Sequence, residues 1–555
     1  MNFNVDSVLS FRSPHLLSLL DSDNPVLRTL TLPQSCILIL ILLGLFILTS
    51  YSFSRRKRNP LLPLVFGYRF FFEPTFLLKA RFILGAQDIV HNAYTTMKDH
   101  PFVVRRWDVD FLVLPMRYLD EIRLIAQSKL SSKGAHTGNL APEYTSMQFL
   151  YHSNLHIDVL KKKLTPNLYP YVDKAKEEMV YGWERDLPHT DDWTPIPIEH
   201  HLRKLVARMT AKVFMGSPTC RDPEWLRISV DFSVDLFTTA FTIKMFPPWL
   251  YGVVARLIPA RYRTLRQLET GRRIVGELMA RHRAAQEKRR RGEYVDEEED
   301  QDTLLNWMLD NGTPAEVEVR EMAARQCVLT LASIHTTAST ISNILFDLCT
   351  YPEWFVELRA EVLDVAAELG GPPGQEDPPV SAREWCVRLN KLDSFFVESQ
   401  RHSPVIILNP QRLAYTDITL QDSTFIPQGT RLAFANYEAA MDACTVPDAA
   451  TFDPMRSYRK RLSHPSQRDK HKAGMTAPGN LTFGYGNQAC AGRQFAVAEI
   501  KLIVARLLYD FEFEFGDDQK RRGRPRTMHV NENCFTDQGV RLRIRRRGDL
   551  GKKLF

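Results

Sequence analysis

The chain has 555 residues, 44% hydrophobic and 25% charged, with a formal net charge of +7. It reads as ordinary globular protein with ample material for a large core. Basic clusters at 55–58, 288–291, 520–526 and 541–547 carry no aromatic interleaving and no binding motif, which excludes nucleic acid as a partner. The 8 cysteines are scattered, with no CxxC and no CxxCH. That excludes a disulfide scaffold, a zinc ribbon and a covalently attached c-type heme, and suits a reducing compartment.

Residues 1–28 read as a short lumenal segment. Residues 29–54 carry no charge and approach the ~20 apolar residues that a bilayer span needs. The basic run 55–58 follows at once, so the positive-inside rule places the rest of the chain in the cytosol. A cleaved signal is disfavoured by a long leading segment of mixed charge without a basic start. Residues 55–64, with Pro60 and Pro63, read as a stiff hinge. The expectation is a single-pass anchor at 29–54 and one cytosolic domain over 65–555.

That domain reads as mainly α-helical with small β-sheets. Helical periodicity covers 193–214, 262–286, 317–348, 352–369 and 493–509. Strand-like alternation is confined to 102–114, 416–432 and 540–544. The charged run 287–302 and the Gly/Pro-rich 370–379 read as surface loops.

Three sets of residues carry chemistry. Within 317–348, Ala332 and Thr336 are i,i+4 and share a helix face. A threonine hydroxyl there can bond a bound oxygen species, an ordered water or its own i−4 carbonyl. His335 beside it titrates near neutrality and can relay protons. Glu398 and Arg401 are i,i+3 on one helix face. Similar Glu-x-x-Arg strings begin at Glu224, Glu269 and Glu287 and read as solvated pairs. Finally, Phe483-Gly484-Tyr485-Gly486-Asn487-Gln488-Ala489-Cys490-Ala491-Gly492-Arg493 sets Cys490 before a helix. Glycines let this loop turn tightly and approach a flat ligand. The helix N-terminus favours a thiolate.

The string Phe-Gly-x-Gly-x-x-x-Cys-x-Gly resembles the cysteine-ligand signature of the cytochrome P450 superfamily. The resemblance covers roughly 65–545. It implies the P450 fold, a triangular helical prism holding heme b between a distal and a proximal helix. Cys490 is then the axial iron ligand, with Phe483, Gly484, Gly486, Gln488 and Gly492 in the heme-binding loop. Gln488 stands where the family usually places a basic residue that meets a heme propionate. Ala332, His335 and Thr336 fall in the distal string, where His335 replaces the usual acid. Glu398, Arg401 and Arg456 are implied as a buried charge triad, and Arg412 as a propionate contact. The usual Trp-x-x-x-Arg is absent, which leaves His156 or Lys161 for a propionate. Pocket walls are implied at 131–150, 237–246, 331–340, 404–407 and 534–536.

His335 and the segment Leu164-Thr165-Pro166-Asn167-Leu168 are similar to fungal members that oxidise terpenoids, such as ent-kaurene and indole-diterpene oxidases. The resemblance implies an endoplasmic-reticulum monooxygenase with a lipophilic substrate. NADPH-derived electrons would arrive through cytochrome P450 reductase, with cytochrome b5 as a further donor. Two alternatives stand beside it: a heme-thiolate isomerase or dehydratase that needs no reductase, and a non-catalytic heme or lipid-binding membrane protein.

Overall fold

Leu78, Phe82, Ala86, Ile89, Val90 and Ala93 recur at helical spacing and bury one face of helix α1 (Thr75–Met97). The computed structural model describes residues 63–70 and 72–548, and this is the first helix among them. The expected lumenal segment, the anchor at 29–54 and nearly all of the hinge lie outside the described residues. Among the described residues, no helix is long and apolar enough to cross a membrane.

The alternation read over 102–114 forms a hairpin of β1 (Phe102–Arg105) and β2 (Asp110–Val113), with Phe102 opposite Val113. It enters a five-stranded sheet with β3 (Leu130–Ser131), β5 (Arg412–Ala414) and β6 (Arg431–Ala433), in the order β1-β2-β6-β5-β3. Helix α2 (Ser132–Thr137) follows β3, and the Ser131 hydroxyl caps it by accepting the Gly134 amide.

The helical pattern of 193–214 is partly overruled. Its start pairs as strand β4 (Thr194–Ile196), and helix α4 begins only at Ile198 and ends at Met215. Pro195 and Pro197 explain this, because proline cannot sit in a helix interior. β4 pairs with β8 (Leu542–Arg546), which also pairs with β7 (Phe511–Phe515). Helix α3 (Leu168–Asp186) precedes β4.

After α4 come α5 (Pro223–Lys244), α6 (Pro259–Arg290), α7 (Val319–Thr350), α8 (Glu353–Leu369), α9 (Asn390–His402) and α10 (Arg493–Asp510). The expected ends of the last helices are met within a few residues. Helix α10 is buried nearly all round, and it packs on α3, α7 and α8. Such a helix belongs at the centre of the domain. Helix α7 packs on α4, α5, α6 and α10. The two helices expected to flank a heme are therefore the two central helices of the fold.

Candidate heme-thiolate site

The cysteine loop is built by backbone geometry. Gly484 and Gly486 hold φ of 76° and 71°, which side chains with a Cβ rarely adopt. A Cβ on Gly486 would also stand 2.7 Å from the Arg123 Cβ. The turn lets the Cys490 amide donate to the Phe483 carbonyl at 2.8 Å, and the Ala489 amide to the Gly486 carbonyl at 3.0 Å. Gly492 is the N-cap of α10 with ordinary φ, so its conformation does not require glycine.

Cys490 keeps accessible surface, yet protein surrounds its sulfur closely enough for burial to raise its pKa. Accessible surface inside such a shell belongs to an interior void. Three features oppose burial and favour the thiolate: the Gly492 amide, the Arg493 guanidinium charge and the Arg493 amide. The Arg493 side chain is held in place by bonds to the carbonyls of Cys490, at 2.9 Å, and Gly474, at 3.1 Å.

In the middle of α7, Ala332 and Thr336 are exposed, while Leu329, Ile334, Thr337, Ala338 and Ile341 are buried. The Thr336 hydroxyl donates to the Ala332 carbonyl at 2.8 Å. An accessible i,i+4 pair inside a central helix marks the wall of a cavity. His335 is placed otherwise. Its Nε2 lies 3.0 Å from the Val230 carbonyl on α5, so a neutral imidazole donates there and is engaged away from the Thr336 face. Burial, with help from Arg203, holds its pKa down to about 4 against the opposing Val230 bond. The proton relay expected through His335 thus meets a ring already committed to helix packing.

His335 carries a pH prediction. The folded chain protonates this ring only near about 4, whereas the ordinary value is 6.5. Unfolded chains therefore take up the proton first as pH falls. Stability is fully present above 6.5 and is lost toward 4. Urea titrations at pH 7 and pH 5 should show a midpoint drop that is smaller in His335→Gln.

The side chains expected at a propionate have these partners. Gln488 spends both ends of its amide on backbone: Oε1 accepts the Ser132 amide at 2.7 Å, and Nε2 donates to the Leu130 carbonyl at 2.8 Å. It stitches the cysteine loop to β3 and α2. Lys161 Nζ donates to the Asn487 carbonyl at 3.1 Å. His156 is buried edge-on to Phe149, with ring centroids 5.8 Å apart. Burial first, then Arg325 and Lys133, push its pKa down to about 3, so it is neutral. Gln488 is thus tied to backbone, Lys161 keeps two further ammonium N–H groups beside its one loop bond, and His156 keeps a buried Nδ1 without a partner.

Arg412 is different. It is 2% exposed and donates only to the carbonyls of Gln411, at 2.8 Å, and Tyr485, at 3.1 Å. Its Nε has no partner, and burial alone lowers its pKa to about 10. A buried guanidinium without an acid is costly, and an anionic ligand beside the cysteine loop would relieve it. Nearby, sequence reasoning missed His136, which is accessible and yet hemmed in by protein and by Arg431, Arg412 and Arg106. Only the turn of α2 brings it there. The residues present therefore fit a heme: a cysteine at a helix N-terminus, a buried guanidinium without an acid, and an accessible small-residue face on α7.

Glu398, Arg401 and Arg456 come together. Glu398 is 2% exposed. Arg401 grips it with two bonds of 2.6 and 3.0 Å, and Arg456 Nε stands 3.5 Å from the same carboxylate. Both arginines also donate to carbonyls of the meander, Arg401 to Ala440 and Ala449, and Arg456 to Pro447 and Asp448. Burial would raise the Glu398 pKa. Bonds from His402, Arg401 and the Asp453 amide overcome it and hold the group at about 2.

The family model for cytochrome P450 matches residues 127–532. This chain belongs to the cytochrome P450 family. Cytochrome P450 monooxygenase ATR4 of Stachybotrys chlorohalonatus is 39% identical over 498 residues, covering 89% of this chain and 92% of that protein. Ent-kaurene oxidase P450-4 of Gibberella fujikuroi is 35% identical over 488 residues, covering 87% and 92%. The retinoic acid-bound cyanobacterial CYP120A1 shares the fold, with a TM-score of 0.60, 18% identity and coverage of 88% and 100%.

This P450 is a heme-thiolate monooxygenase that carries heme b and draws electrons from NADPH through a reductase. When bound through Cys490, the heme supplies the activation of dioxygen. The chain's own part would be to hold the thiolate with the Gly492 and Arg493 amides, to offer Arg412 as a counter-charge and to present small residues on the distal face. A specific expectation follows for Arg412→Met. Without heme the variant is at least as stable as the parent, because an unpaired buried charge is gone. With heme its cofactor dissociates roughly tenfold faster or more, as expected when one partner of a buried charge pair is lost. Heme transfer to apomyoglobin and apoprotein melting measure the two effects.

Proposed function

We propose that this P450 is a membrane-bound monooxygenase of fungal secondary metabolism that hydroxylates or further oxidises a lipophilic, terpenoid-derived intermediate. The observation that carries the oxidative reading is the accessible Ala332–Thr336 face of α7, which the family resemblance sets on the oxygen side. Reductase-free isomerases and dehydratases have no need of a hydroxyl there. The terpenoid class rests on the similarity to ent-kaurene oxidases of Gibberella fujikuroi and Fusarium fujikuroi, each 35% identical over 488 residues.

Endoplasmic-reticulum anchoring by residues 29–54, with the catalytic domain in the cytosol, is part of the proposal. It is supported by exposed apolar side chains on two neighbouring segments. Leu84 on α1 is 76% exposed, and Trp249 beyond α5 is 78% exposed. Trp107 links these segments, since it accepts from Lys79 of α1 and donates its indole N–H to the Met245 carbonyl. Thiolate-side electron delivery from NADPH–cytochrome P450 reductase, or from cytochrome b5, completes the reading.

The test is microsomes from a host expressing the chain with a reductase, supplied with ent-kaurene and related cyclic diterpenes. Products bearing oxygen from labelled dioxygen, formed only with NADPH, are expected. Conversion without NADPH and oxygen would overturn the monooxygenase reading. Oxidation of non-terpenoid probes alone would overturn the substrate class.

A further inference from the structure

With the His335 ring bonded to Val230, the oxygen side of the distal helix has no acid at the usual place. The tertiary structure brings one from elsewhere. Ala332, Thr336 and Ser339 stand at i, i+4 and i+7 on α7, so Ser339 shares the accessible face. Its Oγ lies 3.3 Å from Thr536 Oγ1. The single hydroxyl proton of Thr536 goes to Glu199 Oε2, so Ser339 donates to Thr536. Glu199, at the start of α4, is 7% exposed and Thr536 5% exposed. The second Glu199 oxygen is paired with Arg203. An unbroken file of hydrogen bonds thus leads from the void face of α7 to a buried carboxyl.

We propose that Glu199, Thr536 and Ser339 form the route by which protons reach the oxygen side of this P450, in the role left open at position 335. The proposal rests on the reading that the Thr336 face is the oxygen side. In one delivery, Ser339 releases its hydroxyl proton to an acceptor in the void and takes the Thr536 proton. Thr536 is recharged through Glu199, whose carboxylate first takes a proton from water at its residual exposed edge and then passes it on. The hydroxyls turn between deliveries, and no net charge is left on them. Arg203 is a positioning residue that orients the carboxyl.

The route is testable without a known substrate. The reconstituted enzyme with reductase and NADPH reduces dioxygen either with two electrons and two protons to hydrogen peroxide, or with four of each to water. Proton supply decides between them. Glu199→Gln, Thr536→Val and Ser339→Ala should each raise the peroxide-to-water ratio about a hundredfold, the low end for a positioned proton donor. Thr536→Ser, which restores the hydroxyl, should restore the ratio. Heme content and the reduced carbon monoxide band should stay unchanged. Apart from turnover, the infrared carboxylate band lost in Glu199→Gln should shift in Thr536→Val, with or without heme.

A parental ratio in both Glu199→Gln and Thr536→Val overturns the route, as does Thr536→Ser behaving like Thr536→Val. Thr336→Ala separates the two ideas. If it alone shifts the ratio, the oxygen-side reading stands and the route falls. If it leaves the ratio unmoved too, both fall. Should Glu199→Gln fail to hold heme, Thr536→Val and Thr536→Ser decide.

Discussion

Cys490→Ser should retain the fold but lose the red-shifted, thiolate-type carbon monoxide band of the reduced protein. Monooxygenase turnover should fall by on the order of 10³-fold or more, as when an essential catalytic group is removed. The fold survives because the loop is made by the positive φ of Gly484 and Gly486 and by the Cys490 amide bond to Phe483. None of these needs the sulfur. The band is lost because a serine hydroxyl, far less acidic than a thiol, does not supply an anion at neutral pH. The other cysteines are controls. Burial pushes Cys327 and Cys534 up to about 12 and Cys386 to about 11. Cys327→Ala should therefore keep the band. A thiolate-type band in Cys490→Ser would transfer the ligand to another residue and overturn the site.

Glu398→Ala should destabilise the chain by about 3–5 kcal/mol, the usual cost of stranding one partner of a buried ion pair. Two guanidiniums converge on that carboxylate, and both also hold meander carbonyls ahead of the cysteine loop. Losing the anion leaves both charges buried and loosens the loop, so heme content should fall together with the urea midpoint. Replacing Glu398 and Arg401 together should cost less than the sum of the single replacements. The pH dependence has a definite sign. The folded pKa of about 2 lies below the ordinary 4.5. The stabilisation is therefore complete above 4.5 and lost as pH falls toward 2. A Glu398→Ala midpoint equal to the parent's would show that the meander is held by other contacts.

The residues that identify this P450 were legible because they sit close together in sequence. Gly484, Gly486, Cys490 and Gly492 make their geometry within one loop, where backbone conformation and chain direction determine where the sulfur points. The face shared by Ala332 and Thr336 follows from helical period alone. The pairing of Glu398 with Arg401 was also within reach of local spacing, whereas Arg412 was reached only through the family resemblance. The helix start at 193–198 was misread for a local reason too, because apolar periodicity was weighed above Pro195 and Pro197.

What periodicity and motif could not carry were partners distant along the chain. Gln488 is tied to backbone groups of Leu130 and Ser132, and Lys161 donates to Asn487. His335 sits at a relay position in sequence, yet the carbonyl of Val230 on a neighbouring helix claims its N–H. Glu199 carries no motif and meets Thr536 across 337 positions of chain. The sequence by itself determined the thiolate, its loop and the distal face, because local backbone geometry and helix period suffice for them. Only the tertiary structure decided which polar side chains remain free to meet the cofactor and which are spent. A side chain's hydrogen-bonding capacity is finite, and packing chooses the groups that use it.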